Sequence, residues 1–219
     1  ENNVPIDVRI NDMNIKKIVF ENIADDLKDY EMPSLLESND IKIDDLNTIN
    51  TIPKDYRLIT KKNQFKELKK EINKHSIVSF DLETTDINPL NADIVGISFS
   101  FCNNQAYYIP LLFPDRIKDH DLTKEKILSE LKEIWENPTI SFIGQNIKYD
   151  CIILSRFRID VGSIAFDTML AAHLINPIKA TYKLDDLSLE YLNYKKISIE
   201  DLIGYKGNQI SMSEVDVNK

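Results

Sequence analysis

Residues 78–83 form a strand-like segment that carries two acidic side chains, and this segment constrains the fold most. Apolar Phe80 and Leu82 alternate with Asp81 and Glu83. Successive side chains of a strand point to opposite faces of a sheet, so both carboxylates project from one face. Neighbouring carboxylates at the end of a buried strand are costly unless a cation lies between them. The pattern indicates a metal site, although the same triplet also occurs where a strand ends in a turn.

The chain of 219 residues is long enough for one well-buried domain with attachments. No apolar run approaches the roughly 18 residues that a membrane helix needs. The first residues also lack the pattern of a signal peptide, so we expect a soluble, cytoplasmic protein. Cys102 and Cys151 are the two cysteines, and their apolar neighbours predict reduced core thiols.

The net charge of −9 argues against a long nucleic-acid footprint. Most of it lies in residues 1–50, which hold 5 Lys and Arg against 12 Asp and Glu. Residues 51–219 hold 22 against 24, so the main body is near neutral. Divalent ions at the acidic site would add enough positive charge to hold a phosphodiester locally.

Composition divides the chain into three segments. Residues 1–36 show alternating and then helically spaced apolar positions, which predicts a small strand-plus-helix unit. Residues 37–55 contain Ser, Asn and Asp with isolated apolar residues, which is typical of an acidic linker. Residues 56–219 form the main domain.

The main domain has the pattern of an α/β fold with a mixed sheet. Strands over 77–83, 94–101 and 106–111 are separated by short turns, which predicts an antiparallel meander. A helix over 123–135 leads to a fourth strand over 139–143, and such a crossover predicts a strand parallel to the first. We also expect a strand at 56–59 and helices over 61–74, 146–158, 167–176, 183–194 and from about 199.

A second polar motif, Gly-Gln-Asn-Ile-Lys-Tyr-Asp at residues 144–150, follows the fourth strand. Asn146, Tyr149 and Asp150 share one face near the start of a helix. The free N–H groups of a helix N-terminus favour an anion such as a phosphate. The alternative is that Asn146 is the N-cap and Asp150 a first-turn charge.

Several motifs occur together in one order: Phe-Asp-Leu-Glu-Thr at 80–84, the motif at 144–150, and Ile-Ala-Phe-Asp-Thr-Met-Leu-Ala-Ala-His-Leu-Ile-Asn-Pro at 164–177. This set resembles the 3′–5′ proofreading exonuclease domain of bacterial DNA polymerase I. The segments at 184–189 and 199–204 continue the resemblance, which extends from about residue 56 to residue 219. It implies a ribonuclease H-like fold with helices flanking the sheet. It also implies hydrolysis of the 3′-terminal phosphodiester of DNA with two ions, Mg²⁺ or Mn²⁺.

The resemblance also implies roles for individual residues. Asp81 would bridge both ions, Glu83 would ligate one and orient the attacking water, and Asp150 would serve the other ion through water. Hard carboxylate oxygens suit Mg²⁺ and Mn²⁺. The implied substrate-binding residues are Thr84, Ile87, Gln145, Asn146, Tyr149 and Ile199. Ile87 would be an apolar wedge against the terminal base, and Ile199 replaces a frequent aromatic stacker, which predicts weaker base stacking.

Other polar residues have simpler interpretations. Asp167 belongs to the family pattern, but an Asp before Thr-Met-Leu predicts a helix N-cap rather than a catalytic role. For Ile87 the alternative is a core residue beside a turn. His75, His120 and His173 are not spaced as metal ligands, so we assign them no chemistry.

The sequence departs from the family at both ends. The family's third motif, a Tyr followed four residues later by Asp, would come after Lys219, where the given chain stops. Glu214 and Asp216 come too early and lack the tyrosine, so we expect weak or absent DNA cleavage by this chain. Residues 3–36 resemble the tail of the 5′-nuclease domain that precedes the proofreading domain, and an unrelated extension is the alternative.

The resemblance implies two partners, a single-stranded 3′ end of DNA and the polymerase domain of the same longer chain. It implies no membrane and a location in the cytoplasm with the nucleoid. The residues leave two alternatives open: a catalytically silent, exonuclease-like structural domain of a polymerase, and an RNA-trimming exonuclease of the same superfamily. The clustered carboxylates argue against a silent structural domain. The residues of the motif at 144–150 argue against an RNA-trimming exonuclease.

Overall fold

The computed structural model describes residues 20–23, 26–27, 47–48, 52–112, 122–205 and 207–217. The chain divides into two compact units, residues 1–46 and 47–219. In the first unit, the described residues are a 3-10 turn at Phe20–Ile23 and a helical pair at 26–27. The predicted strand over 1–10, most of the predicted helix and linker, and His120 lie outside the described residues. The prediction of a 5′-nuclease tail therefore stays a prediction.

Six of the described strands form one mixed sheet in the order β2-β5-β4-β3-β6-β7, and β1 and β8 pair separately in parallel. The strands are β1 (Asn47–Thr48), β2 (Asp55–Leu58), β3 (Ile77–Thr84), β4 (Ile94–Ser100), β5 (Gln105–Pro110), β6 (Ser141–Gly144), β7 (Ile164–Asp167) and β8 (Tyr194–Lys195).

The second unit also contains six described α-helices. They are α1 (Lys62–Ile72), α2 (Lys124–Trp135), α3 (Ile147–Arg156), α4 (Thr168–Ile175), α5 (Leu184–Leu192) and α6 (Ile199–Ile203). Helices α1 to α5 each begin one residue after the predicted start. The reason is that the first predicted residue is the N-cap in every case. An N-cap residue lies next to the helix but does not have helical backbone angles.

The predicted meander and crossover are confirmed. β3 is antiparallel to β4, β4 is antiparallel to β5, and β6 lies parallel to β3 after the crossover through α2. β2 and β7 extend the sheet at its two edges, each parallel to its neighbour. The sequence did not indicate β7 as a strand, because it has four residues and the first three are exposed. Such a segment lacks the alternation that identifies a half-buried strand.

An aromatic cluster fixes the apolar face of β3. The rings of Phe80 and Phe142 lie 5.4 Å apart at 89°, and Phe80 lies 5.8 Å from Trp135 of α2. Phe99 of β4 completes the cluster, 5.9 Å from Trp135. All four side chains are at most 1% exposed. Aromatic pairs of this kind contribute about 0.5–1.5 kcal/mol beyond the burial of their area. The cluster therefore holds β3 with its acidic side chains facing away from these rings.

The cysteine prediction is confirmed in one respect and wrong in another. Cys102 and Cys151 are both free thiols. Cys102, however, is exposed, because it lies in the turn between β4 and β5 that Asn103 and Asn104 form. A left-handed backbone at Asn104, with φ 61°, closes this turn and turns the cysteine away from the core.

Candidate active site

The acidic side chains of β3 lie on the face opposite its core residues. Phe80 and Leu82 are 1% and 6% exposed, whereas Asp81 is exposed and Glu83 half-buried. The predicted alternation of buried and accessible side chains is therefore present. The ladder between β3 and β4 shifts register after Glu83. A bulge bends a strand locally, so the two carboxylates stand at the point where β3 leaves the regular sheet.

Asp150 comes to the same region from α3. The last pair between β3 and β6 is Ser79 with Ile143, and β3 then continues to Thr84 without β6 beside it. The chain leaves β6 into α3 at this point, which places the first turn of the helix next to the second half of β3. Asp150 is 3% exposed, and the backbone N–H of Leu82 faces its carboxylate.

The three carboxylates influence one another's protonation. Burial, and then the charge of Asp81, raises the pKa of Glu83 to about 7. Burial, then the charges of Asp81 and Glu83, raises the pKa of Asp150 to about 8, against the opposing effect of the Leu82 N–H. Burial also raises the pKa of Asp81. Like charges that share a poorly hydrated site disfavour ionisation, so this region takes up protons or cations readily.

The Asp81 side chain lies at the surface rather than in the interior. It reaches solvent, yet surrounding protein atoms still crowd the carboxylate enough to raise its pKa through burial. A small ion or a chain end therefore has access to Asp81 from the solvent.

Lys196, between β8 and α6, brings a positive charge to the acidic group. Its charge opposes the rise in the pKa of both Asp81 and Glu83. The Lys196 Nζ lies 3.0 Å from the Asp185 Oδ1 of α5, which holds the lysine in place. The sequence analysis missed Lys196, because no local pattern links the β8–α6 connection to β3.

Tyr108 is a second neighbour that the sequence analysis missed. Gly96 pairs with Glu83 across β3 and β4, and a Cβ atom on Gly96 would lie 2.0 Å from the Tyr108 hydroxyl oxygen. The tyrosine of β5 therefore lies over the bare backbone of Gly96. Burial, and then the charge of Glu83, raises the pKa of Tyr108. A glycine inside a strand can indicate such a close approach, and this was the available signal.

Asp167 is a structural residue that joins two helix starts. Its carboxylate accepts from the backbone N–H groups of Met169 and Leu170, at 2.9 and 3.2 Å, and so caps α4. It also accepts from those of Asn146 and Ile147, at 3.1 and 2.9 Å, at the start of α3. The predicted N-cap role of Asp167 is confirmed.

Asn146 occupies the N-cap position of α3, but its side chain makes no capping hydrogen bond. Asp167 supplies that bond from another strand. Asn146 also has a left-handed backbone, with φ 54° and ψ 38°, which is uncommon for a residue with a side chain. Strained backbone of this kind often occurs at functional sites. The amide of Asn146 is therefore not used to hold the helix.

Tyr149 and Gln145 are held by internal hydrogen bonds. The Tyr149 hydroxyl lies 2.9 Å from the Thr84 Oγ1 and donates to the backbone carbonyl of Asp86. The Gln145 Nε2 donates to the Tyr182 carbonyl at 2.8 Å, and the Thr168 hydroxyl donates to the Gln145 Oε1. These contacts tie α3 to the end of β3 and to α4.

Two predicted contact residues are accessible. Ile87, in the loop between β3 and β4, is 92% exposed, so its interpretation as a core residue beside a turn is wrong. Ile199, the first residue of α6, is 46% exposed. An isolated exposed isoleucine is common on protein surfaces, so exposure alone assigns no role to either residue.

The family model described as 3′–5′ exonuclease matches residues 56–215, which is most of the chain. The chain belongs to this exonuclease family. DNA polymerase I of Borreliella burgdorferi is 36% identical over 172 residues, covering 78% of this chain and 18% of the relative. DNA polymerase I of Pseudomonas aeruginosa is 28% identical over 167 residues, covering 75% and 18%. The chain thus spans under a fifth of the length of these two relatives.

Solved structures support the ribonuclease H-like fold of the chain. The EXO domain of Aedes aegypti Nibbler matches with a TM-score of 0.52 at 12% identity, over 72% of this chain and 77% of that one. The POL domain of Pol1 from M. smegmatis, solved with DNA primer-template and dNTP, matches with a TM-score of 0.51 at 18% identity, over 64% and 23%. The mixed sheet with flanking helices agrees with both.

The donor set of the chain suits a hard divalent cation in chemistry. Asp81, Glu83 and Asp150 offer only carboxylate oxygens, and each has a raised pKa that a bound cation would reverse. Among the described residues, however, no three His, Cys, Asp or Glu side chains converge as a preformed metal site. Mg²⁺ keeps several waters and relies on one or two carboxylates together with substrate phosphate, so a preformed cage is not required.

None of the helices in the described part of the chain is long and apolar enough to cross a membrane.

Proposed function

We propose that this chain is a proofreading module that removes the 3′-terminal nucleotide from single-stranded DNA ends. The observation that supports it best is the group of three carboxylates from β3 and α3. Burial raises the pKa of each, and the charge of Asp81 adds to the rise at Glu83 and Asp150. A fold needs no such cluster for stability, because uncompensated carboxylates destabilise it. The family relation supports hydrolysis at a 3′ end as the use of the cluster.

Two divalent ions, Mg²⁺ or Mn²⁺, are the proposed cofactors. Asp81 would hold both ions, Glu83 would hold one, and Asp150 would hold the other through water. When bound, the ions stabilise negative charge on the scissile phosphate and on the leaving 3′ oxygen. The open side of Asp81 gives the ions access from solvent.

The other side chains bind and orient the substrate in this proposal. Glu83 directs the attacking water toward the phosphorus, and Lys196 supplies a positive charge for a phosphate oxygen. Ile87 presses against the terminal base, and Ile199 contacts the neighbouring nucleotide. Thr84, Gln145, Asn146 and Tyr149 line the path of the strand. Asn146 has an uncommitted amide for a polar contact, whereas Gln145 and Tyr149 act mainly through the backbone that they hold.

The proposed partner of the module is a polymerase on the same longer chain. The relatives from Borreliella burgdorferi and Pseudomonas aeruginosa are DNA polymerase I chains of which this segment is 18%. A module with a near-neutral body gains little DNA affinity from charge alone. The polymerase would therefore supply most of the binding, and the module the removal of mispaired ends.

Calorimetric titration of Mn²⁺ into the chain, with and without a short single-stranded DNA, tests the function. Asp81→Asn should weaken Mn²⁺ binding at least tenfold, while Asp160→Asn, the same change at an exposed aspartate, should leave it unchanged. Any cleavage of a 3′-labelled DNA, which we expect to be weak in this chain, should require the metal and be lost in Asp81→Asn. Absent Mn²⁺ binding and cleavage in the unchanged protein would indicate a silent structural domain. Faster cleavage of RNA of the same sequence would indicate an RNA-trimming enzyme.

A further inference from the structure

The loop that carries Ile87 is unusually well held for an exposed connection. The Asp86 Oδ1 accepts from the Asn88 N–H at 2.8 Å, and the Asn88 Oδ1 accepts from the Leu90 N–H at 3.0 Å. These are local turns of the kind that Asp and Asn side chains form. The Asp93 N–H donates to the Thr85 Oγ1 at 2.9 Å and closes the base of the loop.

Helix α3 holds this loop from outside with two side chains. Tyr149, beside Asp150 in the first turn, donates to the Asp86 carbonyl. Arg156, the last residue of α3, donates from one nitrogen, Nη1, to the Pro89 carbonyl at 2.8 Å and to the Ala92 carbonyl at 2.5 Å. Residues seven apart lie on one face of a helix, two turns from each other. Helix α3, which carries Asp150, therefore forms hydrogen bonds to both ends of the loop that carries Ile87.

The chemistry of Arg156 suits this task. A guanidinium has five N–H donors in a rigid plane and no acceptor, so it can bind two carbonyls at once. Arg156 also lies in the last turn of α3, where a positive charge interacts favourably with the helix dipole. Ala92 is fully buried, so the contacted backbone is fixed at that point.

We propose that Arg156 is a positioning residue of the exonuclease site. It holds the loop at 86–92 at a fixed distance from α3, and thereby fixes the exposed Ile87 relative to Asp150. The terminal base is then pressed by a side chain on a rigid loop rather than on a mobile one. This inference rests on the proposed function, because it assigns Ile87 a base to press on.

The test uses single-stranded DNA with 2-aminopurine either at the 3′ terminus or five nucleotides inward, bound in Ca²⁺ to prevent hydrolysis. Arg156→Gln should change the fluorescence of the terminal probe at least twofold at saturation, and Ile87→Ala should do the same. The inner probe should stay constant, and the affinity should change less than about threefold. Arg158→Gln, the same substitution at an exposed arginine two residues further on, should behave as the unchanged protein. Arg156→Lys keeps the charge and one donor group, and should give an intermediate signal.

Hydrogen exchange distinguishes an effect on the loop from an effect on the bound substrate. The Asn91 and Ala92 amides both donate to the Asn88 carbonyl, at 3.0 Å. Arg156→Gln should accelerate their exchange at least tenfold relative to Arg158→Gln. Unchanged exchange, or an inner probe that responds as strongly as the terminal one, would overturn the positioning role. Failure of the unchanged protein to bind DNA in any divalent metal would overturn the proposed function, and this role with it.

Discussion

The Tyr108 hydroxyl lies directly over the backbone of Gly96, the residue that pairs with Glu83 across the two central strands. A Cβ atom at position 96 would meet three atoms of the tyrosine at 2.0, 2.3 and 2.6 Å. Because the ring as well as the hydroxyl is involved, the contact cannot be relieved by removal of the oxygen alone. Position 96 therefore has to be glycine as long as Tyr108 keeps this place.

Gly96→Ala should destabilise the protein by about 2 kcal/mol, since overpacking of a buried site typically costs 1–3 kcal/mol. In a Tyr108→Ala background the same substitution should cost at least about 1 kcal/mol less, whereas Tyr108→Phe should rescue little. Urea denaturation of the four variants of this cycle measures the coupling. Additive effects would mean that Tyr108 does not lie over Gly96.

Removal of Asp167 should destabilise the protein, whereas removal of the charge at Asp81 should not. Asp167→Ala leaves four backbone N–H groups at two helix starts without their acceptor, which should cost about 2 kcal/mol or more. Asp81→Asn removes a charge from a crowded acidic group and should cost nothing, or stabilise the metal-free protein. Denaturation in EDTA at pH 8 compares them. An equal loss in both variants would make Asp81 a structural residue.

The metal-free protein should lose stability as the pH rises. The folded-state pKa values of Glu83 and Asp150, about 7 and about 8, lie above the ordinary values near 4. The folded state therefore binds these protons more tightly than the unfolded state does. The stabilisation from these protons is present at low pH and is lost as the pH rises through about 4 to 8. We expect a loss on the order of 2 kcal/mol between pH 5.5 and pH 8, measured by urea denaturation in EDTA.

The double substitution Glu83→Gln with Asp150→Asn serves as the control for the pH experiment and should flatten the profile. Mn²⁺ at pH 8 should restore the stability of the unchanged protein, since a cation replaces the lost protons. A profile that stays equally steep in the double variant would assign the pH dependence to other groups.

Lys196→Gln should shift the affinities for cations and for DNA in opposite directions. Without the positive charge near Asp81 and Glu83, Mn²⁺ alone should bind about two- to fivefold more tightly, because the lysine no longer repels it. Single-stranded DNA in Ca²⁺ should bind more weakly, because a phosphate loses its partner. Lys70→Gln, on the exposed face of α1, is the matched control. Parallel changes in both affinities would point to a general loss of structure.

The central part of the fold follows from local patterns. Short turns predicted the meander, the crossover predicted the parallel strand, and period-two alternation placed Asp81 and Glu83 opposite the buried Phe80. These features depend on neighbouring residues, so a single sequence contains them. Asp81 and Glu83 were predicted as a pair for the same reason, since they lie in one strand, whereas the role of Asp150 was predicted only through the resemblance of the motif at 144–150 to the family.

The missed features depend on contacts between distant segments. Tyr108 lies near Glu83 because Gly96 has no side chain to keep the ring away. Lys196 comes to the site from the connection between β8 and α6. Asp167 replaces Asn146 as the side-chain cap of α3. Each contact requires the three-dimensional arrangement of strands that are far apart in sequence. In the sequence, Arg156 looks like an ordinary positive charge at the end of a helix. Only its hydrogen bonds to the loop carbonyls show that it does more.

The early end of β6 has a consequence beyond the placement of Asp150. Up to Ser79, β3 is an interior strand, but from Phe80 to Thr84 the described residues provide a strand partner on one side only. The second half of β3 thus has one unpaired edge although β3 is a central strand, and helix α3 covers that edge instead of a strand. Unpaired edges are templates for pairing with other chains. Any change that detaches the first turn of α3 should therefore promote self-association as well as loss of the acidic group.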